Sequence, residues 1–486
     1  MSTCYHFNLD IPDPDVIFHD GYYYLITTTM HFFPGAEIIR SRDLKNWEHF
    51  SYVFEKLDST KAQRLEGDEY IYGKGMWAPS LRFYDGVFYV VFSSNDLKKT
   101  FLYRSDDLKG PWKRNEIKGF YHDSSLLFDD GKVFIVYGNK DIYLTELNKE
   151  LTGPKKDGLH RLLVSDEGNP NLGYEGSHIY KIDGRYYLFL IHSLRDRWRR
   201  VEAMFSSDSL ESEFIGGDIF NEDFGIKDAG IAQGGVVTGP LGNHLIMFQD
   251  SGAIGRCPVI VPFEWKDGKL SFDSNMTVEE CSFTGLFGSD DFKEGCKSFW
   301  QFNHEPDLNL VSFKDGFNLT TDRLSKNIFH AKNTLTQKAM GPKCEAEVTI
   351  DGGHLNNGDY AGLSAFQGNY AFIGIKKETD KLYAVMLSNE SKGGIWELED
   401  QEGKQEGKEL LDDNEINVRV ELDFNIDTAT CFYEKKGEYN KLGTPHKLTF
   451  RLDHFTGARV TLSMFSTLEP GGCATFKDFK YITYNL

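Results

Sequence analysis

No apolar run in the 486-residue chain approaches the roughly 20 residues that a helical membrane span needs, so the chain reads as soluble. Cysteine is scarce and odd in number. The seven residues, Cys4, Cys257, Cys281, Cys296, Cys344, Cys431 and Cys473, are scattered without a CxxC spacing, which excludes a disulfide framework or zinc site and leaves free, mostly buried thiols. Positive charge is in deficit, with 54 Lys and Arg against 74 Asp and Glu and a net charge of −20, which argues against nucleic acid and anionic membranes as partners. A neutral ligand would be indifferent to that charge. The opening MSTCYHFNLD has no charged segment followed by an apolar core. No secretory signal is legible there, and the chain is expected to be cytoplasmic, or secreted with a leader already removed.

Apolar residues at helical spacing are also rare. What the chain holds instead is a repeated strand-turn-strand phrase, seen most clearly in EGSHIYKIDGRYYLFL from Glu175: a strand, a tight Asp-Gly turn, and a second strand rich in aromatic and β-branched residues. The same signal recurs as DGYYYLI from Asp20, DGVFYVVF from Asp85, DGKVFIVYG from Asp130 and, decayed, LGNHLIMF from Leu241. A second phrase follows each of the first four copies: SRDLKNWE, RSDDLKGPW, LTELNKELTG and FSSDSLESEF. Each unit is thus two hairpins, a four-stranded blade, and five units at a spacing of about 45 to 65 residues predict a five-bladed β-propeller.

Counting back from each turn finds the candidate site. Seven residues before Asp20 stands Asp13, seven before Asp130 stands Asp123, and eight before Asp183 stands Glu175. Trp77 and Gln233 hold the corresponding positions of the second and fifth units. In a propeller these five side chains begin the innermost strands and converge on one axis. Asp13 lies between two prolines, which stiffen its lead-in, although an Asp beside Pro often only caps a turn. Trp77 offers a flat apolar face on which the C–H bonds of a sugar can stack, or is a buried core residue. Met30 and Phe32, in the bend TTTMHFF, form either a pocket wall or packing between blades. Arg256, between a glycine and a strand, would present planar donors to hydroxyls or to a carboxylate. His122 is read as structural, the arginines of LRDRWRR as mostly solvated, and residues 52–73 as a long surface loop.

Three carboxylates on one axis suit inverting glycoside hydrolysis. That reaction needs a protonated acid at the leaving oxygen and an ionised base on water, held roughly 6.5 to 9.5 Å apart. A third carboxylate raises the pKa of the acid by its charge. Glu175, with the longest reach, is expected to be the acid, Asp13 the base and Asp123 the modulator, the last two being exchangeable on the residues alone.

At these residues the chain resembles glycoside hydrolase family 43. IPDPDVIF is similar to the family's base motif at Asp13, HDSSLLFDDGKVFIVYG to its pKa-modulator motif at Asp123, and YEGSHIYKIDGRYYL to its general-acid motif at Glu175. The resemblance implies a pocket tryptophan at Trp77, an active-site arginine at Arg256 and a pocket-wall position at Met30. Many members carry a His near a central calcium or water where this chain has Gln233; no cofactor is required, a structural calcium stays open, and no metal ligand is named. TTTMHFFPGAEIIRSRDLKNWE resembles the β-xylosidase and α-L-arabinofuranosidase branch. FGSDDF, FWQFNHEPD, AKNTLTQKAMGP and GDYAGLSAFQ resemble the C-terminal β-sandwich of its long members.

The resulting expectation is an all-β chain with a catalytic five-bladed propeller over residues 1–285 and a jelly-roll, concanavalin-A-like sandwich over 286–486. SFTGLFGSDDFKEG is read as the linker. The expected activity is exo-hydrolysis of α-L-arabinofuranosyl or β-D-xylosyl ends of arabinoxylan-derived oligosaccharides. An endo-arabinanase and a catalytically silent sugar-binding propeller are the competing readings.

Overall fold

The computed structural model describes residues 2–484, and its architecture is all-β: five blades around an axis, followed by a two-sheet sandwich. The five repeats of the sequence become the five blades. The first contains Asp15–His19, Tyr22–Thr27, Gly35–Ser41 and Asn46–Phe54, and the fourth Glu175–Ile182, Arg185–Ser193, Arg200–Ser207 and Ile215–Phe220, each an antiparallel meander. The Asp-Gly pairs work as the sequence suggests. Both residues have positive φ at Asp20-Gly21, Asp85-Gly86, Asp130-Gly131 and Asp183-Gly184, the conformation of a two-residue hairpin turn whose twist matches the flanking strands.

Blades pack face to face through apolar clusters. Between the first and second, Ile26, Ile38, Leu81, Val90 and Phe92 are completely buried. Burying one such side chain contributes about 1.5–3 kcal/mol, and Phe92→Ala would cost about 3–5 kcal/mol through the cavity it leaves. The fifth blade is finished by the start of the chain: Ser2–His6 pairs antiparallel with Arg256–Lys266. Residues leading into and opening the expected linker extend this seal. Met276–Glu280 runs parallel to Ser2–His6, and Ser282–Thr284 runs parallel to the outer strand of the first blade.

In the sandwich, alternation is plain in Glu415–Asp423, where Ile416, Val418, Val420 and Leu422 point into the core between polar neighbours. One sheet is built around Lys343–His354 and Cys473–Tyr484. The other is built around Asp359–Phe366 and Arg459–Ser466.

The two halves interlock. The short strand Phe32–Phe33 leaves the first blade and pairs with Gln301–Asn303 as the edge of a sandwich sheet. The surface-loop expectation for residues 52–73 is corrected: Gln63, Leu65, Ile71 and Tyr72 are buried. Ile71 N–H donates to His304 Nε2 at 2.9 Å, and Tyr72 Oη to the Phe329 carbonyl at 2.8 Å. His31, Tyr72, His304 and His454 form a buried aromatic knot across this interface, with His31 4.9 Å from both Tyr72 and His454 by ring centroids.

Candidate active site

At the axis the backbone follows one rule. The residue seven before each Asp-Gly turn is left-handed, with φ of 52° at Asp13, 35° at Ala78, 44° at Asp123 and 66° at Gly176, and Gln233 has 62° in the fifth blade. In the second, fourth and fifth blades the strand register shifts there, between Trp77 and Ser80, Glu175 and His178, and Ala232 and Gly235. Such bulges re-aim side chains at the ends of strands, and backbone strain of this kind, costing about 1–3 kcal/mol per residue, gathers at functional sites.

The re-aimed side chains line one cavity of about 190 Å³. Asp13, Asp123 and Glu175 contribute to its wall, as do Trp77, Gln233, Arg256 and Met30. Phe32 does not, so its expected place at the pocket is corrected: it is buried, with the Arg459 guanidinium carbon 3.7 Å from its ring centroid and its backbone in the sandwich sheet.

Asp13 is buried and held at both oxygens. Arg256 Nη1 donates to Oδ1 at 2.8 Å, and Thr28 Oγ1 donates to Oδ2 at 2.6 Å. Thr28 is itself positioned by the Ala78 N–H, which donates to its Oγ1 at 2.8 Å. Arg256 is set in turn by Asp10, whose Oδ1 accepts from the Arg256 N–H and whose Oδ2 accepts from the Gly457 N–H of the sandwich, both at 2.8 Å. Only glycine fits at 457, since an added Cβ would stand 2.1 Å from the Ile254 carbonyl oxygen.

Glu175 accepts from Asn139 Nδ2 and stands 3.2 Å from His122 Nε2, which is also 3.7 Å from Asp123 Oδ2. Burial opposes a charge on His122, but the carboxylates of Asp123 and Glu175 outweigh it and raise the imidazole to about 9. His122, read as structural, thus lines the cavity between Asp123 and Glu175. Asp123 is pushed well above the usual carboxylate range, first by burial and then by the charges of Glu175 and Asp13, against the pull of His122 and Arg256. Ligand atoms of His122, Asp123 and Glu175 lie within 4.8 Å of one another, so a proton retained by Asp123 belongs to a coupled cluster. Among the described residues this is the one His, Cys, Asp and Glu group compact enough to hold a metal. Its atoms are engaged with one another and with Asn139.

Gln233 N–H donates to Glu202 Oε2 at 2.8 Å, and its side-chain amide faces Asp123 at 3.5 Å. Glu202 is fully buried, and burial raises its pKa well above the usual carboxylate range. Arg200, from the run read as mostly solvated, is buried against the cavity and paired with Asp250 at 2.7 Å. The sandwich adds Trp396, Leu452 and Phe455 to the lining. The Phe455 ring stands 5.9 Å from Trp77 at 81°, and 4.5 Å from the Arg256 guanidinium.

Residues 7–270 match the family model described as glycosyl hydrolases family 43. The chain belongs to glycosyl hydrolases family 43. Residues 289–484 match the model of a beta xylosidase C-terminal concanavalin A-like domain, and the family 43 chain is a glycoside hydrolase. It is 22% identical to a beta-xylosidase of Formosa agariphila over 98% of this chain and 89% of that one. It is 30% identical to a non-reducing end alpha-L-arabinofuranosidase of Bacteroides ovatus over 36% of this chain and 33% of that one. A bifunctional GH43-CE protein of Bacteroides eggerthii superimposes with a TM-score of 0.91 at 33% identity, covering 100% of this chain and 64% of that chain.

Proposed function

We propose that the protein is an inverting exo-glycosidase that releases terminal α-L-arabinofuranosyl or β-D-xylosyl residues from oligosaccharides of arabinoxylan. The observation carrying this reading is the cavity itself. At about 190 Å³ it is smaller than the roughly 300–1,000 Å³ of pockets for larger ligands, it draws carboxyls from three blades, and the sandwich residues Leu452 and Phe455 wall it in. That supports one terminal sugar rather than an open chain, and so an exo-enzyme rather than an endo-arabinanase.

Asp13, charge-paired with Arg256, is assigned as the base on water. Glu175, at the end of its strand, is assigned as the acid, and Asp123 as the group that keeps a proton available to it. We assign residues 1–285 to the catalytic propeller and 286–486 to the sandwich, a division supported by the gap between the two family matches. No cofactor enters the reaction. A central calcium would take six to eight oxygens, and the axis does not fit that shell: Asp15 is met by Arg82 at 2.6 Å and His178 at 3.2 Å, and Gln233 turns its amide nitrogen toward Asp123.

The test is a panel of arabinofuranosides and xylosides, with the anomer of the first-formed sugar read by NMR for the wild type, Asp13→Ala and Glu175→Ala. Inverted product from the wild type, and losses of about 10²–10⁴-fold in the variants, support the assignment. Near-normal turnover in either variant would refute it, and binding without hydrolysis by the wild type would establish the silent sugar-binding alternative.

A further inference from the structure

The cavity has a floor and a rim of different character. Asp13, Asp123, Gln233 and Arg256 at its floor are buried, whereas two of its lining residues, Trp198 and Trp396, are 51% and 60% exposed. Both stand at the mouth, and they come from different halves of the molecule. Exposed indoles bordering a binding cavity mark a surface that is covered when ligand arrives.

Neither ring sits on a slack loop. Trp396 is carried by a segment in which Glu399 Oε1 accepts from the N–H groups of Lys392 and Gly393, both at 2.7 Å, and Arg451 Nη2 donates to the Gly394 carbonyl at 2.7 Å. The Asp453 N–H closes the segment onto the sandwich by donating to the Ile395 carbonyl at 2.8 Å. Trp396 then stands 6.1 Å from Phe455, which meets Trp77, so aromatic faces run from the floor outward. On the propeller side, the Leu194 N–H donates to the Arg199 carbonyl at 2.9 Å across the turn bearing Trp198, and Arg199 Nη1 is fixed to Asp223 at 2.9 Å. The Arg200 guanidinium lies 5.7 Å from the Trp198 ring centroid.

We propose that Trp198 and Trp396 form a leaving-group subsite that stacks on a neutral pyranosyl ring, the unit to which the terminal pentose is attached. This rests on the exo-glycosidase reading, because a pentose filling the floor must present its glycosidic oxygen, and whatever follows it, to the mouth. The two indole rings are flat and apolar where the floor is charged, which suits the C–H face of a sugar ring. The two tryptophans are specificity-determining residues: they set the preference for sugar over small aglycones without touching the bond that breaks.

The experiment compares two substrates that fill the floor alike and the rim differently. Methyl pentosides carry no ring at the leaving group, whereas pentosyl xylo-oligosaccharides carry one. For Trp198→Ala, Trp396→Ala and the double variant, kcat/KM is expected to fall about tenfold further on the oligosaccharide than on the methyl pentoside. Trp198→Phe and Trp396→Phe should restore most of the loss. Equal losses on both substrates, or none on the oligosaccharide, overturn the subsite. A wild-type protein inert on every pentoside would overturn the hydrolase reading and this inference with it, whereas an active wild type with indifferent variants would overturn the inference alone.

Discussion

Phe455 of the sandwich lies over Arg256 of the propeller, its ring centroid 4.5 Å from the guanidinium carbon, while Arg256 Nη1 donates to Asp13 at 2.8 Å. A residue of the second domain thus shields the cation that orients the assigned base. A cation over an aromatic face is stabilised by about 0.5–2 kcal/mol. Phe455→Ala should therefore lower kcat/KM on small pentosides by about two- to thirtyfold. Steady-state kinetics with an unchanged fold by circular dichroism would check it, and unaltered kinetics would show that the ring is only a wall.

Thr28 is expected to matter chiefly through Asp13. It is the hydroxyl donor to Oδ2, and a hydrogen bond to a charged group contributes about 1.5–3 kcal/mol. Thr28→Val should reduce kcat by about ten- to hundredfold, and Thr28→Ser should recover most of it. If both variants lose activity equally, the side chain is packing the blade rather than holding the carboxylate.

His122 should shape the pH profile. Its raised pKa of about 9 makes it a cation at neutral pH, and that charge lowers the carboxyl of Asp123. Replacing it with Asn removes the charge, so the carboxyl cluster should hold its proton to higher pH, and the alkaline limb of kcat/KM should move upward. A limb that stays in place, or moves down, would remove His122 from the titrating cluster.

The interface histidines predict acid lability. His31, His304 and His454 have pKa values lowered chiefly by burial, to about 3 for His454, against about 6.5 when unfolded. The unfolded chain therefore binds more protons between these limits. The stability is fully present above about pH 6.5 and is lost as pH falls toward the folded values, by about 1.4 kcal/mol per pH unit for each histidine. Urea unfolding at a series of pH values should show this slope, and His31→Phe should flatten it. A pH-independent midpoint across that window would contradict the prediction.

The blades and the carboxylates were legible because both are periodic. An Asp-Gly turn is a local signal, and counting from it locates Asp13, Asp123 and Glu175 although more than a hundred residues separate the first from the second. His122 was open to the same count, standing beside Asp123, but an isolated histidine carries no pattern. Phe455, Leu452 and Trp396 had no such handle. They come from loops of a domain without the repeat, and only docking brings them to the cavity. Residues 52–73 misled for the same reason: their charge and glycine content describe the segment by itself, whereas their burial is imposed by a surface folded from residues some 230 positions later, as in the bond from Ile71 to His304. Phe32 shows the converse, an aromatic bend whose partner sheet could not be read locally.

The two-residue strand Phe32–Phe33, lent by the first blade to the sandwich, has an evolutionary corollary. A donor module cut at any tidy boundary would arrive missing an edge, and its host would be left with a stray one. Chimeras between relatives should therefore succeed only when both halves are inherited together, which makes the pair, and not either piece, the heritable unit.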